Sequence, residues 1–471
     1  MKVSRPTRQP IAAPAAAALL LSLAIAPAAL ATNGMNMEGY GPISSAMGGT
    51  SMAFDNGTAA VINNPATLSL MEVDNQLDVA IGVLGPKITA TSPTGIKAKS
   101  QATAFFMPAL GYVRRSGPLS YGIGIFGQGG MGCEYDKDSW RGLGFGLENR
   151  TEVSIGRLIA PISYKVSDKL SIAATIDYVW VGMDLKMAMT GAQFTDLMST
   201  HHMGQASGTI LNSFGQIMSQ MPSGTSVDYA YFNFSNNNSF TGEARGYGFA
   251  AKVGAVYRPS KGLRLGLTYH SKTSISDLKA PGNSIAFQMN VPGMGAMTQT
   301  LAGDIRVRNF EWPAMVAGGI AWEPADGWLV ALDLRQVFWA SVMREFNMGF
   351  SASNAAANGP FAGQTLDATL TQNWKDQTVV QVGVAHRITD ALTVRTGFNH
   401  GADPVPDNYL NCLFPATVET HVTAGLSWSV TQRSSIHFSY THGFAKSVTN
   451  GGGVTVTHSQ NNAQLLFSHS F

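Results

Sequence analysis

The sequence predicts an all-β chain: a fourteen-stranded antiparallel transmembrane β-barrel with an N-terminal lumenal hatch and short helices in its extracellular loops. Three observations carry this. A secretory leader is followed by no further apolar run of the ~18 residues a spanning helix needs. Segments of period-two alternation recur from about Gln76 to the terminal Phe471. The connections between them alternate between tight turns and long loops, the pattern of outer-membrane barrels.

Residues 1–31 form the leader. Lys2, Arg5 and Arg8 supply a positive start, Ile11 to Ala26 an apolar stretch, and Ala29-Leu30-Ala31 a small-x-small cleavage site before Thr32. Residues 32–75 form the second unit. Within it, Thr32 to Met71 is broken by Gly34, Gly39, Gly41, Gly48, Gly49 and Gly57 and by the turn Asn63-Asn64-Pro65, yet carries few charges. A compact, weakly charged, Gly-rich stretch ahead of a barrel suits a plug in a lumen as wide as fourteen strands would make it. Asn64 is expected to end a helical turn, with Pro65 stiffening the backbone after it.

Residues 76–471 form the barrel. Ile172, Ala174, Ile176, Tyr178 and Trp180 share one parity, and Ser171, Ala173, Thr175 and Asp177 the other; Leu263, Leu265, Leu267 and Tyr269 likewise oppose Arg264, Gly266, Thr268 and His270. Tight turns stand at 114–118, 167–169, 259–262, 324–327, 389–390 and 431–433. Six turns join six pairs of strands, and the first and last strands make fourteen, an even number as bacterial barrels require. The expected strands are 76–85, 101–114, 119–127, 151–166, 170–186, 243–258, 262–275, 304–322, 328–346, 376–388, 391–400, 417–430, 433–445 and 454–471. Terminal alternation ending in Phe471 puts an aromatic ring in the interface girdle. Charged residues are only 13% of the chain, half the share usual in soluble domains, and the net charge of +2 gives no reason to expect nucleic acid as a partner.

The ordered motifs resemble one family. They are Thr32-Asn33-Gly34 with Gly39-Tyr40-Gly41 and Met47-Gly48-Gly49; Asn64-Pro65-Ala66; Tyr121-Gly122-Ile123-Gly124-Ile125-Phe126-Gly127 running on to Glu134-Tyr135; Gly266-Leu267-Thr268-Tyr269-His270-Ser271-Lys272; Trp374-Lys375-Asp376; and Pro404-Val405-Pro406-Asp407. This order is similar to that of the FadL/TodX outer-membrane transporters of long-chain fatty acids and aromatic hydrocarbons. The resemblance covers the mature chain. It implies a fourteen-stranded barrel, a lumenal hatch at Asn64, Pro65 and Ala66, and passive uptake of hydrophobic molecules that leave sideways into the membrane. His270 replaces a commoner Arg, and Thr67 stands where many members have Gly.

The candidate site residues fall on the loops, the third strand and the lumenal wall. Phe194, Leu197, Met198 and His201, then Ile210, Leu211, Phe214, Ile217, Met218 and Met221, carry helical apolar stripes on the longest loop. A later loop adds Ile285, Phe287, Met289, Val291, Met294 and Met297. Such faces can line a hydrophobic capture groove, rich in adaptable Met, or pack on each other as a cap. Gly122, Gly124 and Gly127 mark the expected kink, which by resemblance opens the wall. Parity turns Arg157, Asp177, Lys252, Arg264, Asp333, Arg335 and Arg395 into the lumen. Of these, Arg157, Lys252, Arg335 or Arg395 could hold a carboxylate head group. Cys133 and Cys412 fall in expected outer loops, where a disulfide could join them.

No G-x-S-x-G or H-E-x-x-H motif occurs, and no metal-ligand spacing, catalytic residue or cofactor is expected. The expected protein is a monomer in the outer membrane, contacting membrane lipid and lipopolysaccharide. Its expected role is uptake of long-chain fatty acids or aromatic or aliphatic hydrocarbons. The alternatives are a binding or adhesion barrel with a closed plug and, further off, a lipase using Ser435 and His437.

Overall fold

The computed structural model describes residues 33–238 and 241–471. The expected leader and Thr32 lie outside the described residues. The wall is built of β1 (Asn75–Thr91), β2 (Phe105–Ser116), β3 (Leu119–Tyr135), β4 (Asn149–Lys165), β5 (Leu170–Thr190), β6 (Ala244–Ser260), β7 (Leu263–His270), β8 (Met315–Trp322), β9 (Trp328–Val337), β10 (Gln377–Arg387), β11 (Leu392–Gly401), β12 (Thr420–Ser429), β13 (Ser434–Thr449) and β14 (Thr455–Ser470). Each pairs antiparallel with the next. The ring closes where β1 meets β14, from Gln76 opposite Ser470 to Thr91 opposite Thr455. Closure removes the sheet edges that a bilayer cannot solvate.

Period-two sequence produces the two faces. Ile172, Ile176 and Tyr178 on β5 point outward, while Ser171, Ala173, Thr175 and Asp177 are buried inside. Leu265, Leu267 and Tyr269 on β7 face out, opposite buried Thr268 and His270. The short turns need left-handed backbone at Gly262 (φ 87°) and Gly327 (φ 77°), which glycine adopts without steric cost. At this end Phe471 stacks on Tyr112, with centroids 6.2 Å apart. Short turns are periplasmic in such barrels, so the long loops face outward.

The fourteen-strand expectation needs correction, because among the described residues the sheet contains 22 strands, of which fourteen close the ring. Six of the eight additional ones form an outer tier, while Lys97–Lys99 pairs with β1 and Ser274–Ile275 with β6. The outer end of β5 pairs with Ser226–Phe234, which pairs with Leu278–Val291, then Gly295–Arg308, Glu345–Ala352, Thr365–Thr371 and Gly204–Ser207. The expected strand 304–322 is therefore two, broken at 309–314 around Pro313, and 328–346 is likewise split at 338–344. The wall strand expected at 262–275 stops at His270, and β1 runs six residues past Gly85. Ile285, Phe287, Met289 and Val291 belong to a hairpin strand, not a loop, and are buried by its period of two.

Residues 33–74 lie inside the ring, with α1 (Pro42–Ser45) and two 3₁₀ turns, Gly57–Val61 and Pro65–Leu70. Asn64 starts the second turn rather than ending the first: its side chain accepts from Ala66 N at 3.1 Å and Pro65 occupies the first position. Its amide also donates to Met52 O (2.7 Å) and to Ala255 O on β6 (3.3 Å). Thr67 Oγ1 donates to Asn64 O at 2.9 Å, tightening the same turn. Inward wall side chains hold the segment by its backbone. Ser51 N and Met52 N donate to Asp333 Oδ2 (2.6 and 3.1 Å), Gln381 Nε2 to Glu38 O (2.7 Å), and Asn399 Nδ2 to Gly48 O (3.1 Å). Close approach requires inward glycines. A Cβ on Gly266 would stand 1.8 Å from Met52 O, and one on Gly397 2.1 Å from Gly48 N.

Gly397→Val is expected to destabilise the folded barrel by about 1–3 kcal/mol, the usual cost of overpacking. The urea midpoint of the heat-modifiable species in detergent measures it, and an unchanged midpoint would mean that the inner segment moves aside freely. Asp333→Ala leaves two buried amides unmet, at roughly 1–3 kcal/mol each, and should expose residues 45–55 to protease in an assembled wall.

Candidate functional site

The wall is irregular at β3. Its ladder to β2 runs from Ser116 opposite Leu119 to Ala109 opposite Phe126 and then ends. Above that point β2 continues against β1 alone, as far as Leu84 opposite Phe105. Contact resumes only where Gln101 N donates to Glu134 O (2.8 Å) and Glu134 N to Ser100 Oγ (3.1 Å). On its other flank β3 carries a bulge: Gly127 faces Gly156, but Gly129 faces Ile155, leaving Gln128 unpaired in the ladder. Gln128 turns inward, where its carbonyl accepts from Tyr40 OH at 2.6 Å and its side chain accepts from Arg157 Nε. Burial pushes the Tyr40 phenol far above its ordinary range, so it stays a neutral donor.

The freed edge of β3 is met from inside. Asn36 pairs with Gly129, and Gly130 N donates to Met35 O at 3.1 Å. From the β2 side two side chains lean across the gap. A Cβ on Gly132 would lie 2.4 Å from the Phe105 ring, and one on Gly127 2.4 Å from Met107 Cε. Behind them is a pocket of about 100 Å³, open to the outside, lined mainly by Met35, Met37, Leu84, Ile88, Phe105, Met107, Met131 and Val153. Of its polar members, Glu152 meets Arg150 (2.7 Å), Asn36 Oδ1 accepts from Trp312 Nε1 (2.9 Å), and His458 Nδ1 meets Pro415 O (2.7 Å), while His458 Nε2 is buried without a partner. Met37 also lines two further spaces, one beneath Gly127 and one beside Arg157 and Trp312.

Of the three glycines expected to kink β3, only Gly127 borders the bulge. Gly122 and Gly124 sit in regular register opposite Val113 and Gly111. The ladder is interrupted instead at Gly129, Gly130 and Gly132, glycines of the same Gly-rich run, beside Phe105 and Met107, which no sequence signal marked. The two loop stripes do form helices, α2 (Gly191–Met198) and α3 (Thr209–Gln220). His201 leaves the first stripe, exposed and with φ 59°. Phe194, Phe214 and Phe287 form a triad with centroids 5.1–5.8 Å apart, and Leu197, Ile210 and Met289 are buried with them. Met198, Leu211, Ile217 and Met218 pack on the same cluster while half-buried. None of these lines the pocket at β3.

The lumenal cations all have partners. Arg157 Nη1 meets Asp177 Oδ2 at 2.8 Å, and Lys252 Nζ donates to the same oxygen. Arg335 donates to Gly49 O (2.5 Å) and Ser51 Oγ (3.0 Å), and Arg395 to Ser427 Oγ (2.5 Å). Cys133 lies on β3 rather than in a loop, and both it and Cys412 are buried free thiols. Ser435 Oγ contacts His437 Nε2 at 2.8 Å, but the other ring nitrogen meets Ser427 at 2.5 Å rather than a carboxylate. Among the described residues no His/Cys/Asp/Glu group is arranged for a metal, and no helix is long and apolar enough to cross a membrane.

A family model described as outer membrane protein transport protein (OMPP1/FadL/TodX) matches residues 18–466. The toluene transporter TodX of Pseudomonas putida is 30% identical, with a TM-score of 0.79 over 92% of this chain and 99% of that one. The Ralstonia pickettii toluene transporter TbuX is 29% identical, with a TM-score of 0.73 over 92% and 99%. Outer membrane protein P1 of Haemophilus influenzae is 21% identical over 410 residues, 83% of this chain and 81% of that protein. An uncharacterized Chlorobium limicola protein is 49% identical over 90 residues, so the chain spans under half (43%) of that relative's length. With its closed barrel and matching family model, the chain is an outer-membrane β-barrel belonging to the OMPP1/FadL/TodX family.

Proposed function

We propose that this protein carries small neutral hydrophobic molecules, monoaromatic hydrocarbons foremost, passively across the outer membrane. They are taken up on the half-buried faces of α2 and α3, held in the pocket beside β3, and released sideways between β2 and β3 into lipid. The single observation that carries this reading is the interrupted β2–β3 ladder, closed by Phe105 and Met107 side chains with an apolar pocket behind it. Side chains can swing aside; a hydrogen-bonded ladder in lipid cannot open without unsatisfied backbone groups. Residues 32–75 act as the hatch, anchored at Asn64, Pro65 and Ala66, and Met35–Asn36 leave the Gly129–Gly130 edge as a ligand passes. Neutral cargo is favoured over fatty acids because Arg157, Lys252, Arg335 and Arg395 already have partners and none lines the pocket at β3. The similarity to the toluene transporters TodX and TbuX supports the same cargo.

The closed binding barrel draws on the same edge, since the bridge from Asn36 to Gly129 seals the gap as it stands. Toluene uptake by proteoliposomes separates the two. Transport predicts uptake above that of protein-free vesicles, whereas no excess would favour the closed barrel.

Gly132→Leu, which wedges a side chain against Phe105, is expected to cut toluene uptake about tenfold, as ~1.4 kcal/mol on the limiting step would. Met107→Ala should raise it. Normal flux through a correctly assembled Gly132→Leu barrel would remove the lateral route. Deleting residues 193–220 should lower uptake while leaving heat-modifiable mobility intact, and unchanged uptake would remove α2 and α3 from capture.

A further inference from the structure

The outer face of the wall where β13, β14 and β1 meet the short strand Lys97–Lys99 has a composition that the transport reading does not use. Residues pair there in rows. Lys87 lies opposite Ser459; Thr89 lies between Lys99 and Thr457, with Ser447 beyond; Thr91 lies between Lys97 and Thr455, with Thr449 beyond. The alternate residues Ile88, Ala90, Ala98, Val448 and Val456 are buried, so the rows face outward. Hydroxyls bridge the strands, Ser447 to Thr457 and Thr449 to Thr455, at 2.7 Å each. Lys87, Lys97 and Lys99 are exposed and have no ion-pair partner among the described residues. From strand spacing, they leave the sheet within about 14 Å of one another. Two carboxylates on the adjoining chain are engaged, Glu134 with Arg150 and Asp136 with Gln101 (3.3 Å).

The level of this face in the membrane is set by the residues below it. One outward position beneath the row of Lys87 and Ser459, Gly85 lies opposite Asn461, whose Oδ1 accepts from Tyr440 OH (2.7 Å) and contacts His442 Nδ1 (2.8 Å). His442 packs edge-on against Phe444, with centroids 4.7 Å apart. Below them Ile81, Phe438 and Leu465 are exposed to lipid. Aromatic side chains with polar tips mark the interface, so the lysines and hydroxyls stand at head-group height in the outer leaflet. Ammonium groups suit phosphate, and a grid of hydroxyls suits sugar hydroxyls.

We infer that this face binds the phosphorylated sugar head group of an outer-leaflet glycolipid. Lys87, Lys97 and Lys99 hold phosphate, and the Thr and Ser rows hold the sugar. The site abuts the pocket, because Pro86 and Ile88 line it from the opposite side of the same strand. The bound glycolipid is therefore a fixed neighbour of the gap beside β3, independent of what passes through it.

The test uses full-length barrel, refolded free of glycolipid, and native mass spectrometry with diphosphorylated lipid A or its dephosphorylated form. Wild type should bind the diphosphorylated lipid and lose most of that binding without phosphate or at high salt. Lys87→Gln with Lys97→Gln and Lys99→Gln should weaken it about a hundredfold, the combined effect of three surface lysines near an anionic lipid. Thr89→Val with Thr457→Val keeps strand propensity and should weaken both lipid forms. Lys169→Gln with Lys261→Gln, at the short-turn end, should change nothing. Equal wild-type affinity for the two lipids, full affinity in the triple variant, or an equal loss in the short-turn control would each overturn the site. If the triple variant does not assemble, the wild-type comparison of the two lipids decides alone.

Discussion

Every backbone N–H and C=O that faces a bilayer must be paired within the protein. Closure of the ring from β1 to β14 meets that demand almost everywhere. The exception is β3 between Gly127 and Cys133, where the neighbouring strand has turned away to pair with β1 alone. The inner segment supplies the replacement: Asn36 bridges to Gly129 and Met35 O accepts from Gly130 N. The irregular wall and the packed lumen are thus one structure. The segment inside covers the middle of the gap, at Gly129 and Gly130.

That dependence explains how the inner segment is held. Its wall contacts are mostly side chain to backbone, from Asp333, Gln381, Asn399 and Thr423, and they fix residues 38–52 against β9 to β12. Residues 35–37, which meet β3, have fewer such anchors and instead touch the pocket through Met35 and Met37. On the proposed route, the firmly tied part positions the part that gives way. Methionine suits the second role, since its unbranched chain repacks around ligands of different shape.

Much of this was legible in the residues. Period two assigned the lumenal face of Asp177, Lys252, Asp333 and Arg335 correctly, because one face of each strand meets lipid and the other meets polar groups. Gly- and Pro-containing turns located the periplasmic end. The outer tier was not legible, because alternation continues on both sides of the break at 309–314 and period alone does not report which partner a strand takes. Of the glycines expected at the kink only Gly127 borders the bulge, for a related reason. Glycines recur along β3 from Gly122 to Gly132, and which of them leaves the ladder is decided by where β2 stops pairing and where Met35 arrives. The role of Asn64 was inverted because Asx residues serve at both ends of helical turns, and only the Ala66 amide reveals which.

The electrostatics of the lumen and of the outer face obey opposite rules. Inside, Asp177 serves both Arg157 and Lys252, and Arg335 donates to the inner segment's backbone, so the cations are spent on structure. A buried charge without a partner would be costly, and its pairing removes it from ligand chemistry. On the outer wall Lys87, Lys97 and Lys99 are left without protein counter-charges, where water or a head group can solvate them. On the proposed reading, an apolar pocket walled off from paired cations passes neutral molecules. Cations outside, unpaired among the described residues and on strands beside the same pocket, would on the inferred site hold the barrel in an anionic leaflet. The two faces of β1 would thereby divide the work, Ile88 toward the pocket and Lys87 toward the membrane.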